Sequence, residues 1–174
     1  RGNLSIQQIG LNNYDFKIHE AGMKGNAYQK LHLMTKVLHY FNKDLSGKKI
    51  ALWGLAFKPN TDDIREAPAL ELIKELISNG AHVIAFDPEA MENVKNEIGD
   101  KITFAENQYD GLANADALII ATEWSEFRTP DFNKIKSLLK SHVIFDGRNL
   151  FDLNRMEEYG FHYESVGRRV ITQR

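Results

Sequence analysis

The sequence predicts an α/β fold built on a doubly wound parallel sheet of about six strands, preceded by an α-helical segment. Short apolar runs alternate with helical patterns throughout residues 49–166. This alternation is typical of parallel strands joined by right-handed crossovers, with helices on both faces of the sheet. The run Asp116–Thr122 has five consecutive apolar residues at its centre, as expected of a central strand that is covered on both faces.

A helix is predicted at residues 27–43, ahead of the sheet. Its apolar residues recur at helical spacing, at Ala27, Leu31, Met34, Leu38 and Phe41. A second apolar stripe runs beside the first, so the apolar surface is too wide for a helix that lies on a single surface. The helix is therefore either buried in its own domain or packed between domains or subunits. Residues 1–26 are weakly patterned, and short helices are predicted on either side of a turn at residues 12–15.

The main domain follows in order, after a break at Asp44–Gly47 that divides the chain into residues 1–45 and 46–174. The predicted strands are Lys49–Trp53, His82–Phe86, Ile102–Ala105, Asp116–Thr122, Val143–Phe145 and His162–Ser165. The predicted helices are Glu66–Asn79, Pro88–Glu97, Gln108–Ala113, Pro130–Lys140 and Asn154–Tyr159. Gly80 and Gly99 are expected to end the first two of these helices.

The composition excludes several classes of function. A net charge of −2 over 174 residues gives no field that would attract nucleic acid or a membrane surface. The absence of cysteine excludes disulfides, a thiolate nucleophile and a thiolate-bound metal. His32 and His39 lack carboxylate partners at metal-ligand spacing. No apolar run approaches the roughly 20 residues of a membrane-spanning helix, and no secretory signal is visible.

We expect a cytoplasmic protein that binds no nucleic acid, membrane or metal. Because the chain begins at Arg1 rather than at a methionine, we also expect it to be a piece of a longer protein.

The stretch from residue 49 to residue 69 has the pattern of an anion-binding element. The first strand breaks at Gly54, and a predicted helix start follows at Thr61–Asp63. A strand that turns directly into a helix presents free N–H groups to an anion beyond the end of the strand. Lys58 and Arg65 add two positive charges. We expect this stretch to hold the anionic part of a nucleotide, with Asp62 and Asp63 capping the helix.

Two further cations follow later strands of the sheet. Arg128 comes after the central strand and Arg148 after the next one. Because the carboxyl ends of parallel strands meet at one edge, we expect both to gather with Lys58 and Arg65 around a single crevice. Guanidinium and ammonium groups are good partners for a diphosphate. The alternative for each is a solvated surface residue, or for Arg65 an ion pair with Asp62 or Glu66.

Other residues near these strand ends leave two interpretations open. Asp87 follows the second strand and is either an N-cap ahead of Pro88 or the acid that binds a ribose hydroxyl. Trp124 and Phe127 belong either to the core or to a base-binding surface. The first turn lacks the pattern G-x-G-x-x-G, which indicates that this sheet itself does not bind NAD. No nucleophile constellation is present, so the domain is expected to be a binding module.

Five stretches of the chain resemble the C-terminal portion of the UDP-glucose/GDP-mannose dehydrogenase family. They are Gly54–Pro68, Ala85–Pro88, Ala121–Phe127, Phe145–Asn149 and Gly167–Arg168. The resemblance extends over residues 26–168, and the first stretch is long and specific. It implies a Rossmann-like domain at residues 46–174 that binds the UDP half of a sugar nucleotide. Residues 1–45 would be the end of a central helical region that forms a homodimer.

The resemblance also implies roles for individual residues. Phe57, Lys58 and Arg148 would contact the UDP-sugar, and Arg65 would reach across an interdomain cleft to NAD. Members of the family oxidise the C6 hydroxyl of the sugar to a carboxylate in two hydride transfers to NAD. Their NAD fingerprint and their catalytic cysteine lie in segments that this chain lacks. No catalytic residue is therefore expected here, and we predict a chain that is inactive alone but binds UDP.

Two segments of the sequence predict which sugar nucleotide is bound. The segments at residues 61–66 and 122–127 favour UDP-glucose over UDP-N-acetyl sugars and GDP-mannose within the family. A non-catalytic nucleotide-binding module on the same sheet is the alternative to part of an oxidoreductase.

Overall fold

The computed structural model describes residues 32–173. The strands are β1 (Lys49–Trp53), β2 (His82–Phe86), β3 (Thr103–Phe104), β4 (Ala117–Ile120), β5 (Val143–Asp146) and β6 (His162–Glu164). They form one parallel sheet in the order β3-β2-β1-β4-β5-β6. The chain winds outward from β1 in one direction and then from β4 in the other, which is the doubly wound arrangement. The predicted fold class is confirmed.

Helices connect these strands. The described helices are α1 (residues 32–40), α2 (Pro68–Ser78), α3 (Met91–Ile98), α4 (Ser125–Arg128), α5 (Phe132–Leu138) and α6 (Leu153–Tyr159), with a 3₁₀ turn at Asp110–Leu112. The short helix α4 was not predicted. The elements predicted within residues 1–26, and the first part of the predicted helix at 27–31, lie outside the described residues.

The helix after β1 begins later than the sequence predicts. Helix α2 starts at Pro68, with Ala67 as N-cap and no side-chain cap. Proline suits the first helical position because its missing N–H is unsatisfied there anyway. The preceding Glu66 has φ +58°, which lies outside the helical region. The interpretation of Asp62 and Asp63 as a helix cap is therefore wrong, and Arg65 lies in a loop rather than in the first helical turn.

The core surrounds the central strands. Every residue of β4 and β5 is buried, as expected for strands that are covered on both faces. Trp53 at the end of β1 stacks on Phe127, with ring centroids 4.9 Å apart and planes at 21°. Phe127 and Trp124 are both buried. Of the two interpretations of these aromatic residues, the core is the correct one.

Helix α1 packs against the sheet. Leu33, Met34 and Val37 are buried in the same apolar cluster as the strands. At the end of the helix, the Tyr40 ring lies 4.5 Å from the ring of His162 on β6. This described part of the helix is thus buried against the main domain. The division of the chain at residue 45 stays a prediction.

Candidate functional site

The carboxyl ends of the central strands lie in register. Trp53 of β1 pairs with Phe86 of β2 and with Ile120 of β4, and Ile120 pairs with Asp146 of β5. The loops that follow these four strands therefore leave the sheet side by side. They carry the cations that the sequence predicts at this edge.

Gly54 lets two of these loops cross in close contact. Its φ is +101°, and a Cβ there would lie 2.5 Å from Thr122 Oγ1 and 2.6 Å from the Thr122 backbone nitrogen. Only glycine fits such a backbone conformation without a clash. Thr122 Oγ1 donates a hydrogen bond of 2.9 Å to the Ala56 carbonyl oxygen, which joins the loop after β4 to the loop after β1.

Asp87 connects the same loops from the side of β2. Its side chain is 1% exposed. Its carboxylate accepts hydrogen bonds of 2.7 to 3.1 Å from the backbone N–H groups of Leu55, Ala56, Glu89 and Ala90 and from the indole N–H of Trp124. The bonds to Glu89 and Ala90 close the turn ahead of α3, but α3 begins at Met91 with Ala90 as its N-cap and no side-chain cap, so the interpretation of Asp87 as a helix N-cap ahead of Pro88 is wrong. Because the carboxylate is buried and its oxygens are occupied, the ribose-binding interpretation of Asp87 is wrong.

The loop after β1 exposes two of the three predicted substrate contacts. The Phe57 backbone N–H donates to the Asp63 carbonyl oxygen at 2.8 Å, which closes the loop at residues 57–63. Phe57 is 37% exposed, although it is a large apolar side chain, and Lys58 is exposed beside it. An aromatic ring and an ammonium group are thus accessible at the edge where the strands end.

Arg65 forms an ion pair within the same loop. Its Nε and one terminal nitrogen donate to the two Asp63 carboxylate oxygens at 3.0 and 2.8 Å, and its backbone N–H donates to Oδ1 at 2.9 Å. These bonds, the side-chain ones first, lower the pKa of Asp63 to about 2. The partner is thus neither Asp62 nor Glu66. The Arg65 side chain is still 88% exposed, so its guanidinium remains accessible to a second anion.

A shallow depression adjoins this ion pair. Its volume is about 480 Å³, and residues 61–65 line it together with Asn93 of α3. The Asn93 side-chain amide donates to the Asp62 carbonyl oxygen at 2.9 Å. This bond ties the loop to α3 three residues before Arg65.

Arg148 lies in the turn after β5 and is held by two acids. Its backbone N–H donates to Oδ1 of the buried Asp146 at 2.9 Å. Its guanidinium donates to Oε2 of Glu123 at 2.8 Å, with side chains that are 27% and 24% exposed. Arg148 is therefore a partly buried, ion-paired residue and not a solvated turn residue.

One carboxylate oxygen of Glu123 has no hydrogen-bond partner among residues 32–173. Burial alone would raise its pKa, but the Arg148 hydrogen bond, its own backbone N–H and the charges of Arg148 and Arg128 outweigh burial, so the pKa lies below its ordinary value. Oε1 is buried and accepts no hydrogen bond from any residue in the described part of the chain. Arg128 at the end of α4 is exposed, and it acts on this site through its charge.

A buried network supports the turn that carries Arg148. Tyr163 donates its hydroxyl hydrogen to Asp146 Oδ2 at 2.6 Å and accepts a hydrogen bond of 2.8 Å from Arg168. Burial raises the pKa of Asp146 even though Tyr163 and the backbone N–H groups of Arg148 and Leu150 bond to it. Burial, followed by the charge of Asp146, likewise raises the pKa of Tyr163.

Sequence reasoning missed Glu123, Asp146, Tyr163 and Arg168 as supports of the site. Glu123, Asp146 and Arg168 lie in stretches that carry the family resemblance, and Glu123 and Asp146 stand at or just beyond the ends of β4 and β5, but neither signal identifies the partner of any of these side chains. Within residues 32–173, no group of three or more histidine, aspartate or glutamate side chains could hold a metal ion. Over the same residues, no helix has the length and apolar character needed to cross a membrane.

Known proteins match this chain over most of its length. The model of the UDP-glucose/GDP-mannose dehydrogenase family, UDP binding domain, matches residues 51–153. UDP-glucose 6-dehydrogenase TuaD of Bacillus subtilis is 40% identical over 158 residues, which are 91% of this chain and 34% of that protein. The chain therefore spans about a third of the length of this curated relative.

Solved structures agree with this match. A UDP-glucose dehydrogenase from the archaeon Pyrobaculum islandicum is 33% identical with a TM-score of 0.63, covering 72% of this chain and 27% of that one. A UDP-D-ManNAc dehydrogenase from Pyrococcus horikoshii is 27% identical with a TM-score of 0.63, covering 82% of this chain and 31% of that one. The matched residues include Lys58, Arg65 and Arg148, and the chain belongs to the UDP-glucose/GDP-mannose dehydrogenase family, with its UDP binding domain at residues 51–153.

Proposed function

We propose that this chain is the UDP-sugar-binding part of a UDP-glucose 6-dehydrogenase, a cytoplasmic, homodimeric oxidoreductase that converts UDP-glucose to UDP-glucuronate with NAD. The observation that carries the proposal is the position of two cationic residues at the carboxyl edge of the sheet. Lys58 and Arg148 follow β1 and β5, strands that both flank β4 and end in register with it. The match to the family's UDP binding domain supports the same ligand.

Phe57, Lys58 and Arg148 are the residues proposed to bind the substrate. Lys58 is exposed, so its ammonium group can approach a phosphate directly. Arg148 uses one terminal nitrogen on Glu123 and has further N–H donors for a phosphate or a sugar hydroxyl. The exposed ring of Phe57 offers an apolar surface next to these charges.

Arg65 is proposed to contact NAD. Its exposed guanidinium suits the negatively charged diphosphate of a dinucleotide, and the ion pair with Asp63 holds it in place. NAD supplies the hydride acceptor of the reaction. The residues of this chain bind and orient the nucleotide groups, and none of them is assigned a catalytic step, so the chain alone is expected to be inactive.

Titration calorimetry with UDP tests the binding proposal on the 174-residue chain. We expect UDP to bind, and we expect Lys58→Gln and Arg148→Lys each to weaken binding about tenfold, at the lower end of the roughly 1.5–3 kcal/mol that a hydrogen bond to a charged group contributes. Arg148→Lys keeps the charge beside Glu123 and so protects the fold. Lys101→Gln is the matched control, because Lys101 is exposed and lies two residues before β3, at the amino ends of the strands.

Three results would contradict the proposal: no UDP binding by the natural sequence, an equal loss in Lys101→Gln, or turnover of UDP-glucose with NAD by this chain alone.

A related candidate is a UDP-N-acetyl-sugar dehydrogenase, which the likeness to the Pyrococcus horikoshii enzyme favours. Competition of UDP-glucose and UDP-N-acetylmannosamine for the bound UDP distinguishes the two. GDP-mannose and GDP belong in the same series, and a non-catalytic module would bind the nucleotide without preferring one sugar.

A further inference from the structure

We propose that Asp87 is a positioning residue for the substrate site, whose buried carboxylate holds the loop with Phe57 and Lys58 and the segment with Glu123 in one fixed arrangement. The proposal rests on the proposed binding of UDP by Lys58 and Arg148. Asp87 itself would not touch the substrate. It would act through the backbone that precedes Lys58 and through the side chain that follows Glu123.

The first half of this arrangement is the loop after β1. Asp87 Oδ2 accepts the backbone N–H groups of Leu55 at 2.7 Å and Ala56 at 3.0 Å. These two residues directly precede Phe57 and Lys58. Because both N–H groups point at one oxygen, the backbone direction at residue 56 is determined by the position of the carboxylate.

The second half is the segment after β4. The indole N–H of Trp124 donates to the same Oδ2 at 3.1 Å, and Trp124 is adjacent to Glu123, the ion-pair partner of Arg148. One carboxylate oxygen is thus shared between the loop that carries Lys58 and the segment that orients Arg148. Thr122 links the same two segments through its bond to the Ala56 carbonyl oxygen.

The other oxygen anchors Asp87 in turn. Oδ1 accepts the backbone N–H groups of Glu89 and Ala90, both at 2.9 Å, so the side chain is fixed to the turn ahead of α3. A buried carboxylate is tolerated only where hydrogen bonds replace its lost hydration. Here five donors do so. In dinucleotide-binding sheets the acid after the second strand reaches a ribose hydroxyl. In this chain the acid at that position, Asp87, points into the protein and fixes the loops at the carboxyl edge of the sheet.

Asp87→Asn tests the proposal because the amide has nearly the same shape. In asparagine an NH₂ group replaces one of the two carboxylate oxygens. That NH₂ group would face at least two N–H donors and could not accept their hydrogen bonds. We expect UDP affinity to fall about tenfold, as for loss of one charged contact. Asp116→Asn is the matched control, since Asp116 is also buried and accepts the Lys49 backbone N–H at 2.9 Å, but at the opposite end of β1. Its affinity for UDP should be unchanged.

A double-mutant comparison separates positioning from general stability. If Asp87 acts through Lys58, then Lys58→Gln should weaken UDP binding much less in the Asp87→Asn background than in the natural sequence. Fully additive losses would overturn the proposal, as would UDP affinity in Asp87→Asn equal to that of the natural chain.

A measurement without ligand tests the role of Asp87 independently of the proposed binding of UDP. Hydrogen exchange at the amides of Leu55 and Ala56 should accelerate in Asp87→Asn and not in Asp116→Asn. Unchanged exchange would contradict the proposal that Asp87 holds the loop. Failure of the natural chain to bind UDP would instead contradict the proposed function. If Asp87→Asn does not fold, Trp124→Phe removes a single donor. UDP affinity should then fall about threefold, and an unchanged affinity would count against the proposal.

Discussion

Arg148 and Glu123 form a partly buried ion pair at the ends of two neighbouring strands, with the guanidinium nitrogen 2.8 Å from Oε2. The pair places a negative charge directly beside a cation that is proposed to bind a diphosphate. Glu123 therefore orients Arg148 and at the same time neutralises part of its charge. These two effects have opposite consequences for an anionic ligand, and they can be separated by substitution.

Glu123→Gln should strengthen UDP binding by about three- to tenfold. The amide oxygen can still accept the hydrogen bond from Arg148, so the orientation is kept, while the charge that repels the diphosphate is removed. Titration calorimetry of the 174-residue chain measures the change. Glu126→Gln is the control, because it removes a charge from the same segment without touching Arg148. An equal gain in both variants would indicate a general field effect, and a loss in Glu123→Gln would show that orientation dominates.

The same pair should make stability depend on pH in the acid range. The folded-state pKa of Glu123 lies below its ordinary value of 4.5, so between the two values the unfolded chain binds more protons than the folded one. The contribution of Glu123 is then complete above about pH 4.5 and is lost as the pH falls through the folded-state pKa. We expect an effect of about 1 kcal/mol, since the pair is partly exposed.

Urea unfolding at neutral pH and at about pH 3 measures this effect. The difference in the free energy of unfolding between the natural chain and Glu123→Gln should shrink towards acid pH. A difference that stays constant would contradict the depressed pKa.

The order of the elements could be predicted from the sequence, and their contacts could not. Alternation of apolar runs with helical patterns carries the topology, because each strand and helix is specified by neighbouring residues. The bounds of β1 and β2 agree with prediction for this reason. The start of α2 was predicted too early because Asp62 and Asp63 have the residue types of a helix cap. The helix begins at Pro68 instead.

The site was predictable only as an edge of the sheet. The cations could be placed there because each follows a strand. Their partners lie far away in the sequence: Asp87 bonds to Leu55 over 32 positions, and Arg148 bonds to Glu123 over 25. Whether an acid after a strand points inward or outward depends on donors from other strands, and no local pattern records those donors.

Gly54→Ala should be strongly destabilising, at more than about 3 kcal/mol. The new Cβ would lie 2.5–2.6 Å from the backbone and side chain of Thr122, and the φ of +101° adds strain for any residue with a Cβ. Gly47→Ala is the control, because its φ is also positive, at +73°, but nothing lies within 4 Å of a Cβ. It should cost about 1 kcal/mol.

The free energy of unfolding in urea measures both glycine variants. Equal losses would show that backbone conformation alone explains the glycine at position 54 and that the crossing of the two loops contributes nothing.

Tyr163→Phe should lower stability without much effect on UDP binding. The hydroxyl donates to Asp146 Oδ2 and accepts from Arg168, so its loss leaves buried polar groups without a partner, at a cost of about 1–3 kcal/mol. The Arg148 backbone bonds to the other oxygen, Oδ1, and that bond survives. We therefore expect UDP affinity to change less than about twofold. Tyr159→Phe is the control, because its hydroxyl takes no part in this network, and it should be nearly neutral in urea unfolding. A large loss of UDP affinity in Tyr163→Phe would show instead that the network sets the position of Arg148.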